Sequence, residues 1–313
     1  MRFLAIAPTR ISFFGGSTDL EPYCSQFGGA VINMAINLRQ HTTLYSGDDI
    51  WGAQNSFPLN ATPDFYYKLL EKYKINGGHH SKIISTFDGF IMSGLGSSGA
   101  AGVALVGAIN KRLGLGLTRD EIALTAWQHE IDLGIYTGKQ DQFASVYGGL
   151  NYMSFTDKVE VVKINVPNYD KLLSWMVLFY IGGGKKDNKL QKNFERLDRK
   201  RLRALDTLKY ITGLALPLFL IGKYQEIGEL LDISWQYKKE SNRVTTARID
   251  GIYDLAKSEG AIGGKICGSG GVGYMVFMCP PEKKDNLIRK MRAFHIEQVD
   301  FGVDFGGLEA RIL

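Results

Sequence analysis

Ser93-Gly94-Leu95-Gly96-Ser97-Ser98-Gly99-Ala100-Ala101 sets three glycines and two adjacent hydroxyls against the start of an apolar helical run. Glycines let the backbone approach an anion and turn N–H groups inward. The helix behind them, predicted from Ala100 to about Leu113, places its positive end at the same point. The stretch reads as a phosphate cradle, with Ser97 and Ser98 free to cap the helix, contact a phosphate or hold a metal ion. A plain capped loop fits the same residues equally well, so the rest of the chain decides.

Upstream, residues 2–15 alternate and then run apolar into Phe13-Phe14-Gly15-Gly16-Ser17-Thr18-Asp19, a strand entering a glycine turn that carries a hydroxyl and a carboxylate. Strands are predicted over Ala30 to Leu38, Thr42 to Ser46 and Lys82 to Phe90, and a helix from about Asp64 to Lys74. Downstream, Thr118-Arg119-Asp120-Glu121 is a capping box that starts a helix running to about Leu133 and carrying Glu130. Gly134 and Gly138 break the chain before Lys139-Gln140-Asp141-Gln142, and Leu150 to Phe155 resumes the sheet. From about Asn165 the pattern changes. A buried-strand run (Trp175 to Ile181) precedes a charged helix over Lys189 to Leu208 and helices over Tyr224 to Lys239 and Val244 to Ser258. The glycine-rich Gly263 to Gly273, a strand at Tyr274 to Met278, a helix near Lys283 to Arg292 and a terminal strand pair follow. The expectation is an α+β chain of two domains, 1–168 and 169–313.

Composition narrows the function classes. The 313 residues hold no repeat, and no apolar run approaches the ~20 residues of a membrane helix, so a soluble, non-membrane protein is expected. Three cysteines (Cys24, Cys267, Cys279) without CxxC spacing suggest neither a disulfide framework nor a zinc site, which points to the cytoplasm. The pair His79-His80 fits a loop better than a metal site. The net charge of +5 mildly favours anionic ligands, but the basic residues are scattered without an aromatic-basic stripe, so nucleic acid is not indicated. The sequence carries no signal for an oligomeric state.

Other phosphate-binding systems fail on context. Gly268-Ser269-Gly270-Gly271-Val272-Gly273 satisfies GxGxxG, yet it leads into a strand-like run ending at Pro280-Pro281, whereas a dinucleotide fingerprint opens a helix. No GxxxxGK[ST] and no HRD or DFG set is present. Phosphoryl transfer needs a metal and an oriented nucleophile. Glu130 at a helix end and Asp141, eleven residues later across a broken turn, can converge on the mouth of the Ser97/Ser98 loop. Singly, each also reads as an ordinary solvated or capping carboxylate.

Ala7-Pro8-Thr9-Arg10 with Gly15 to Asp19, then Gly94 to Ala100, then Gly264-Lys265-Ile266-Cys267-Gly268-Ser269-Gly270-Gly271 resemble the three ordered motifs of the GHMP kinases, across nearly the whole chain. The opening GGxTD, the Gly138-Lys139-Gln140-Asp141-Gln142 segment ahead of Gly148-Gly149-Leu150-Asn151, and Ile233-Ser234-Trp235 to Lys238-Lys239 are most similar to bacterial D-glycero-D-manno-heptose 7-phosphate kinases.

The resemblance implies a ribosomal S5 domain 2-like N-terminal domain, a ferredoxin-like C-terminal domain and ATP with Mg²⁺ between them. Gly94, Leu95, Gly96, Ser97, Ser98 and Gly99 would wrap the phosphates. Ser98 and Glu130 would ligate magnesium. Asp141 would orient or deprotonate the acceptor hydroxyl, and Arg10 would keep it ionised and offset charge on the transferring group. Thr18, Asp19, Gly268, Ser269, Gly270 and Gly271 would meet the acceptor, with Lys185, Lys186 and Arg243 as candidates for a phosphate it already carries. The implied activity is phosphorylation of a sugar or sugar-phosphate hydroxyl, best matched by the anomeric hydroxyl of a heptose 7-phosphate on the way to nucleotide-activated heptose. Another monosaccharide, such as fucose or a uronic acid, and a non-catalytic sensor of the same fold are the alternatives. The chain departs from the family pattern at Phe90-Ile91-Met92-Ser93, at Gly99 where many members have a third serine, at Ser17 where a third glycine is common, and at Gly184-Lys185-Lys186-Asp187.

Overall fold

Two antiparallel sheets organise the computed structural model, which describes residues 1–46, 55–57, 62–75, 81–90, 94–182, 197–241, 245–268 and 270–313. In the first sheet β1 (Arg2–Phe14) pairs with β2 (Gly29–Ser46), which also receives β3 (Ser81–Phe87) and β4 (Leu150–Phe155). One edge is β5 (Val159–Lys163) and the other is β10 (Glu309–Ile312), paired with β1. The second sheet runs β7 (Gly263–Ile266), β8 (Gly273–Met278), β6 (Met176–Gly182), β9 (Glu297–Gln298).

Three differences from expectation have physical reasons. The two strands expected within 30–46 are one, because the polar Arg39-Gln40-His41 is ladder-bonded on both sides, Gln40 lying opposite Ala7 and Phe87. The terminal strands do not pair with each other: β9 joins β6, and β10 crosses back to β1. The charged helix begins at Arg199, where the Asp198 side chain accepts from Arg201 N, and continues past Leu208 through Pro217 to Ile221. Its expected first turns, 189–196, lie outside the described residues.

That helix is also long and apolar enough, by length and composition alone, to cross a membrane. Its inward residues Leu205, Leu208, Ile211, Ala215 and Phe219 are nonetheless buried in the fold.

The register shift between Pro8 and Thr9 lets β1 serve two cores. Phe3, Ala5 and Ala7 pack on α3 (Ser97–Leu113), whose inner face carries Val103, Leu105 and Val106. Ile11 and Phe13 join Ile32 and Met34 against Ile211, Phe219, Leu231, Leu178 and Val276 on the other side. A third core packs the far face of the second sheet (Val177, Phe179, Phe277) on helices Ala247–Ser258 and Pro281–Ala293. Arg10 sits between the α3-facing residues and the second core, where β1 meets the start of α3.

Candidate active site

The cradle glycines are shaped by what lies against them. Gly96 is the N-cap of α3, at φ +73°, and no side chain caps the helix; Ser97 and Ser98 are its first residues rather than its caps. Capping was one of the three roles open to those serines, but a left-handed glycine makes the turn, and Ser98 stays exposed at the helix mouth. A Cβ on Gly96 would lie 2.9 Å from Asp141 Cγ, and one on Gly99 2.8 Å from Asp141 Cβ. At position 99 any side chain would therefore force Asp141 or its neighbours to shift. Leu95 turns its side chain into the core and gives its carbonyl to Arg10 N at 2.9 Å.

Asp141 is the second residue of α5 (Gln140–Tyr147), at the end of that helix where the dipole favours a carboxylate. Arg10 reaches it from β1: Nε donates to Oδ1 at 2.8 Å, Nη2 lies 2.6 Å from the same oxygen, and Nη1 donates to Gly94 O at 2.7 Å. The guanidinium thus ties the carboxylate to the cradle. Asp141 retains partial exposure, 17% of its side chain, while Arg10 is buried.

Glu130 lies fully buried on α4 (Arg119–Asp132), whose capping box forms as expected. The amide of Gln142 donates to Glu130 Oε2. Gln142 Nε2 also lies 3.3 Å from where a Gly99 Cβ would be, so Glu130 reaches the cradle through this amide. Glu130 and Ser98 offer oxygen donors only, which suits Mg²⁺. Among the described residues no group of three or more His, Cys, Asp and Glu converges. A cation here would take its remaining oxygens from phosphates and water, the usual manner for Mg²⁺.

Asp19 is buried beside this group. Its Oδ1 accepts from Gln140 Nε2 (3.0 Å) and Ser17 N (3.2 Å), and its Oδ2 accepts from Gln140 N (3.3 Å). Burial, with Asp141 nearby, pushes its carboxyl above the ordinary carboxylate value. Thr18 is different. Its hydroxyl donates to Ala30 O (2.9 Å) and accepts from Ala30 N (3.0 Å), so it locks the loop to β2 instead of facing the cleft. Ser17 adopts φ +84°, a backbone conformation that favours glycine.

The second glycine loop touches the first. A Cβ on Gly268 would lie 2.6 Å from Gly94 Cα, and one on Gly94 2.2 Å from Cys267 O. Gly270 and Gly271 follow with positive φ, and Gly271 has open space before it. Ser93, Ser269, Lys185, Lys186 and Arg243 lie outside the described residues.

Four side chains of this region carried no role in the sequence reading: Gln140, Gln142, Lys238 and Lys265. Lys238 had a signal. On α8 (Tyr224–Ser241; α7 is Arg199–Ile221) it falls at the spacing of buried Leu231 and Trp235, which sets a lysine on the inward face.

The chain matches models of the GHMP kinases N terminal domain over residues 63–149 and of the GHMP kinases C terminal over 215–297. It is 31% identical, over 91% of both chains, to a D-glycero-alpha-D-manno-heptose 7-phosphate kinase of Campylobacter jejuni. It is 28% identical to a mevalonate kinase of Methanothermobacter thermautotrophicus, over 67% of this chain and 68% of that one. The crystal structure of a D-glycero-D-manno-heptose 1-phosphate kinase from Bacteriodes thetaiotaomicron superposes with a TM-score of 0.79, at 25% identity and 99% coverage of both chains.

Proposed function

The chain belongs to the GHMP kinases and is a sugar kinase of that family, and from this premise we propose that it transfers a phosphoryl group from ATP, with Mg²⁺, to the anomeric hydroxyl of a heptose 7-phosphate. GHMP kinases are ATP-dependent enzymes that phosphorylate a hydroxyl of a small molecule. The acceptor is the one named for the Campylobacter jejuni relative. A cytoplasmic setting and the division at residue 168 belong to the same proposal.

One observation carries it: Arg10 bridges Asp141 and the Gly94 carbonyl, which holds a carboxylate at a fixed place beside the phosphate cradle. In the proposed reaction, Asp141 accepts a hydrogen bond from the acceptor hydroxyl and aims it, while Arg10 holds Asp141 in place and offsets negative charge as the phosphoryl group transfers. Gly94 to Ser98 bind the phosphates through backbone N–H groups, and Asp19, oriented by Gln140, accepts from sugar hydroxyls. Ser98 and Glu130 would hold Mg²⁺, which supplies charge neutralisation at the phosphates.

The test is ADP release from Mg-ATP across free hexoses, heptoses and their terminal phosphates, with Asp141→Asn as the blank. Selective turnover of a heptose 7-phosphate is expected. Selective turnover of a different sugar would discard the acceptor and keep the kinase.

A further inference from the structure

Phe90 and Tyr180 take no part in the chemistry proposed above. Their rings stack with centroids 4.2 Å apart and planes 13° from parallel. Tyr180, on β6, also meets the ring of Tyr274, which lies opposite it on β8 with centroids 5.2 Å apart. Tyr274 is fully buried, and its hydroxyl accepts from Phe90 N at 3.1 Å. The turn into Phe90 is packed as well: a Cβ on Gly89 would lie 2.9 Å from Phe87 Cζ and 3.2 Å from Tyr274 Oη. Phe90 is thus held by its ring on Tyr180 and by its backbone on Tyr274. It is nevertheless 52% exposed. A phenylalanine scattered on a surface calls for no explanation, but this one is fixed at ring and backbone while half of it stands in water.

Its place in the fold supplies the occupant. Phe90 lies four residues before Gly94, the first glycine of the cradle. Cys267 N donates to Tyr274 O at 2.8 Å, and the Cys267 carbonyl is the group against which Gly94 packs. Tyr274 therefore joins the aromatic pair to the point where the two glycine loops meet. The carboxylates lie toward the other end of the cradle, where Asp141 packs on Gly96 and Gly99 and its chain neighbour Gln140 holds Asp19. A nucleoside triphosphate laid along the cradle with its transferable phosphate toward Asp141 sends its base toward the Gly94 end, where Phe90 stands.

We propose that the exposed side of Phe90, backed by Tyr180, stacks on the nucleobase of the nucleoside triphosphate, a placement that rests on the ATP-dependent reading above. A base presents a flat π-face, which an aromatic side chain covers without needing a hydrogen bond to the base edge. The backing by Tyr180 and the bond to Tyr274 order the ring before the ligand arrives, so less conformational freedom is lost on binding. Phe90 is the binding residue; Tyr180 and Tyr274 position it.

The experiment measures the Kd of the full chain for Mg-ATP and for magnesium tripolyphosphate, which has three phosphates and no base, by calorimetry. Phe90→Ala should weaken ATP about 10–100-fold and tripolyphosphate less than about threefold, and Phe90→Trp should restore ATP binding. The added indole of Phe90→Trp should be quenched by ATP and not by tripolyphosphate, with the wild-type protein as the baseline. If Phe90→Ala does not fold, that quench decides. Equal losses for both ligands, no loss for ATP, an indole blind to ATP, or a loss confined to KM for the sugar would overturn the proposal while leaving the kinase reading intact. Failure of the wild-type protein to bind Mg-ATP would remove the ATP reading itself, and the base site with it.

Discussion

Arg10 and Asp141, 131 residues apart, meet through two nitrogens on a single oxygen, with Nε and Nη2 of the arginine at 2.8 and 2.6 Å from Oδ1. The third nitrogen holds the Gly94 carbonyl. One planar group therefore sets the distance between the carboxylate and the phosphate loop. A lysine has one nitrogen and cannot make these contacts together. Arg10→Lys is expected to lower kcat by about 10²–10³-fold with a smaller change in KM for ATP, as read from steady-state kinetics.

Asp141→Asn keeps the shape and removes the charge. Turnover should fall by about 10²–10⁴-fold, and ATP affinity measured by calorimetry should stay within about threefold. Full activity in this variant would remove Asp141 from the reaction.

The glycines of α3 separate shape from function. Gly96→Ala meets both a φ of +73° and Asp141 Cγ at 2.9 Å, so it should displace the carboxylate and abolish most activity. Gly114→Ala, at the other end of the helix with φ +62° and open space around it, should lower stability by about 1 kcal/mol and leave kcat unchanged. Thermal melts and kinetics on the two variants check this contrast.

Gln142 holds Glu130 by its amide. Gln142→Leu should raise the Mg²⁺ concentration needed for half-maximal binding by about 10–100-fold, and Mn²⁺ binding followed by paramagnetic relaxation reads this without turnover. Glu130→Gln should have the larger effect, and an unchanged metal titration in both would argue against a cation at this carboxylate.

Stability should respond to pH through the buried Lys238. Lys238 has its folded pKa lowered to about 7 by burial and Lys265, against an ordinary value near 10.5, so between those values the unfolded chain binds the extra proton. Its contribution to stability therefore rises with pH from about 7 upward. The melting temperature of the ligand-free protein should climb between pH 7 and 9 relative to that of Lys238→Met.

The local motifs were legible in the sequence because their physics is local. The capping box at Thr118 and Glu121 forms with its side-chain and backbone bonds, and the strand entering Gly15 and the helix leaving Gly99 lie where periodicity put them. The cradle and Asp141 were candidates from the residues themselves and Arg10 from the family resemblance, and the fold brings the three into contact. What escaped depends on neighbours distant in sequence. The polar Arg39-Gln40-His41 looked like a break because its partners on both sides are supplied by other strands. Thr18 looked like a sugar contact until β2 claimed its hydroxyl. Lys238 carried no role in the sequence, because the carbonyl it holds is 222 residues away.

The sheet that carries Arg10 is finished by residues 309–312, which pair with residues 3–6 of its first strand. During synthesis residues 309–312 follow every other described strand of both sheets, so the strand bearing Arg10 has an open edge until they emerge. Folding in the order of translation cannot complete the first sheet before the second has emerged. For most of that time the unpaired edge of β1 is a site for wrong pairing with other chains, and a chaperone that shields it would act on the N-terminal end long after that end has left the tunnel.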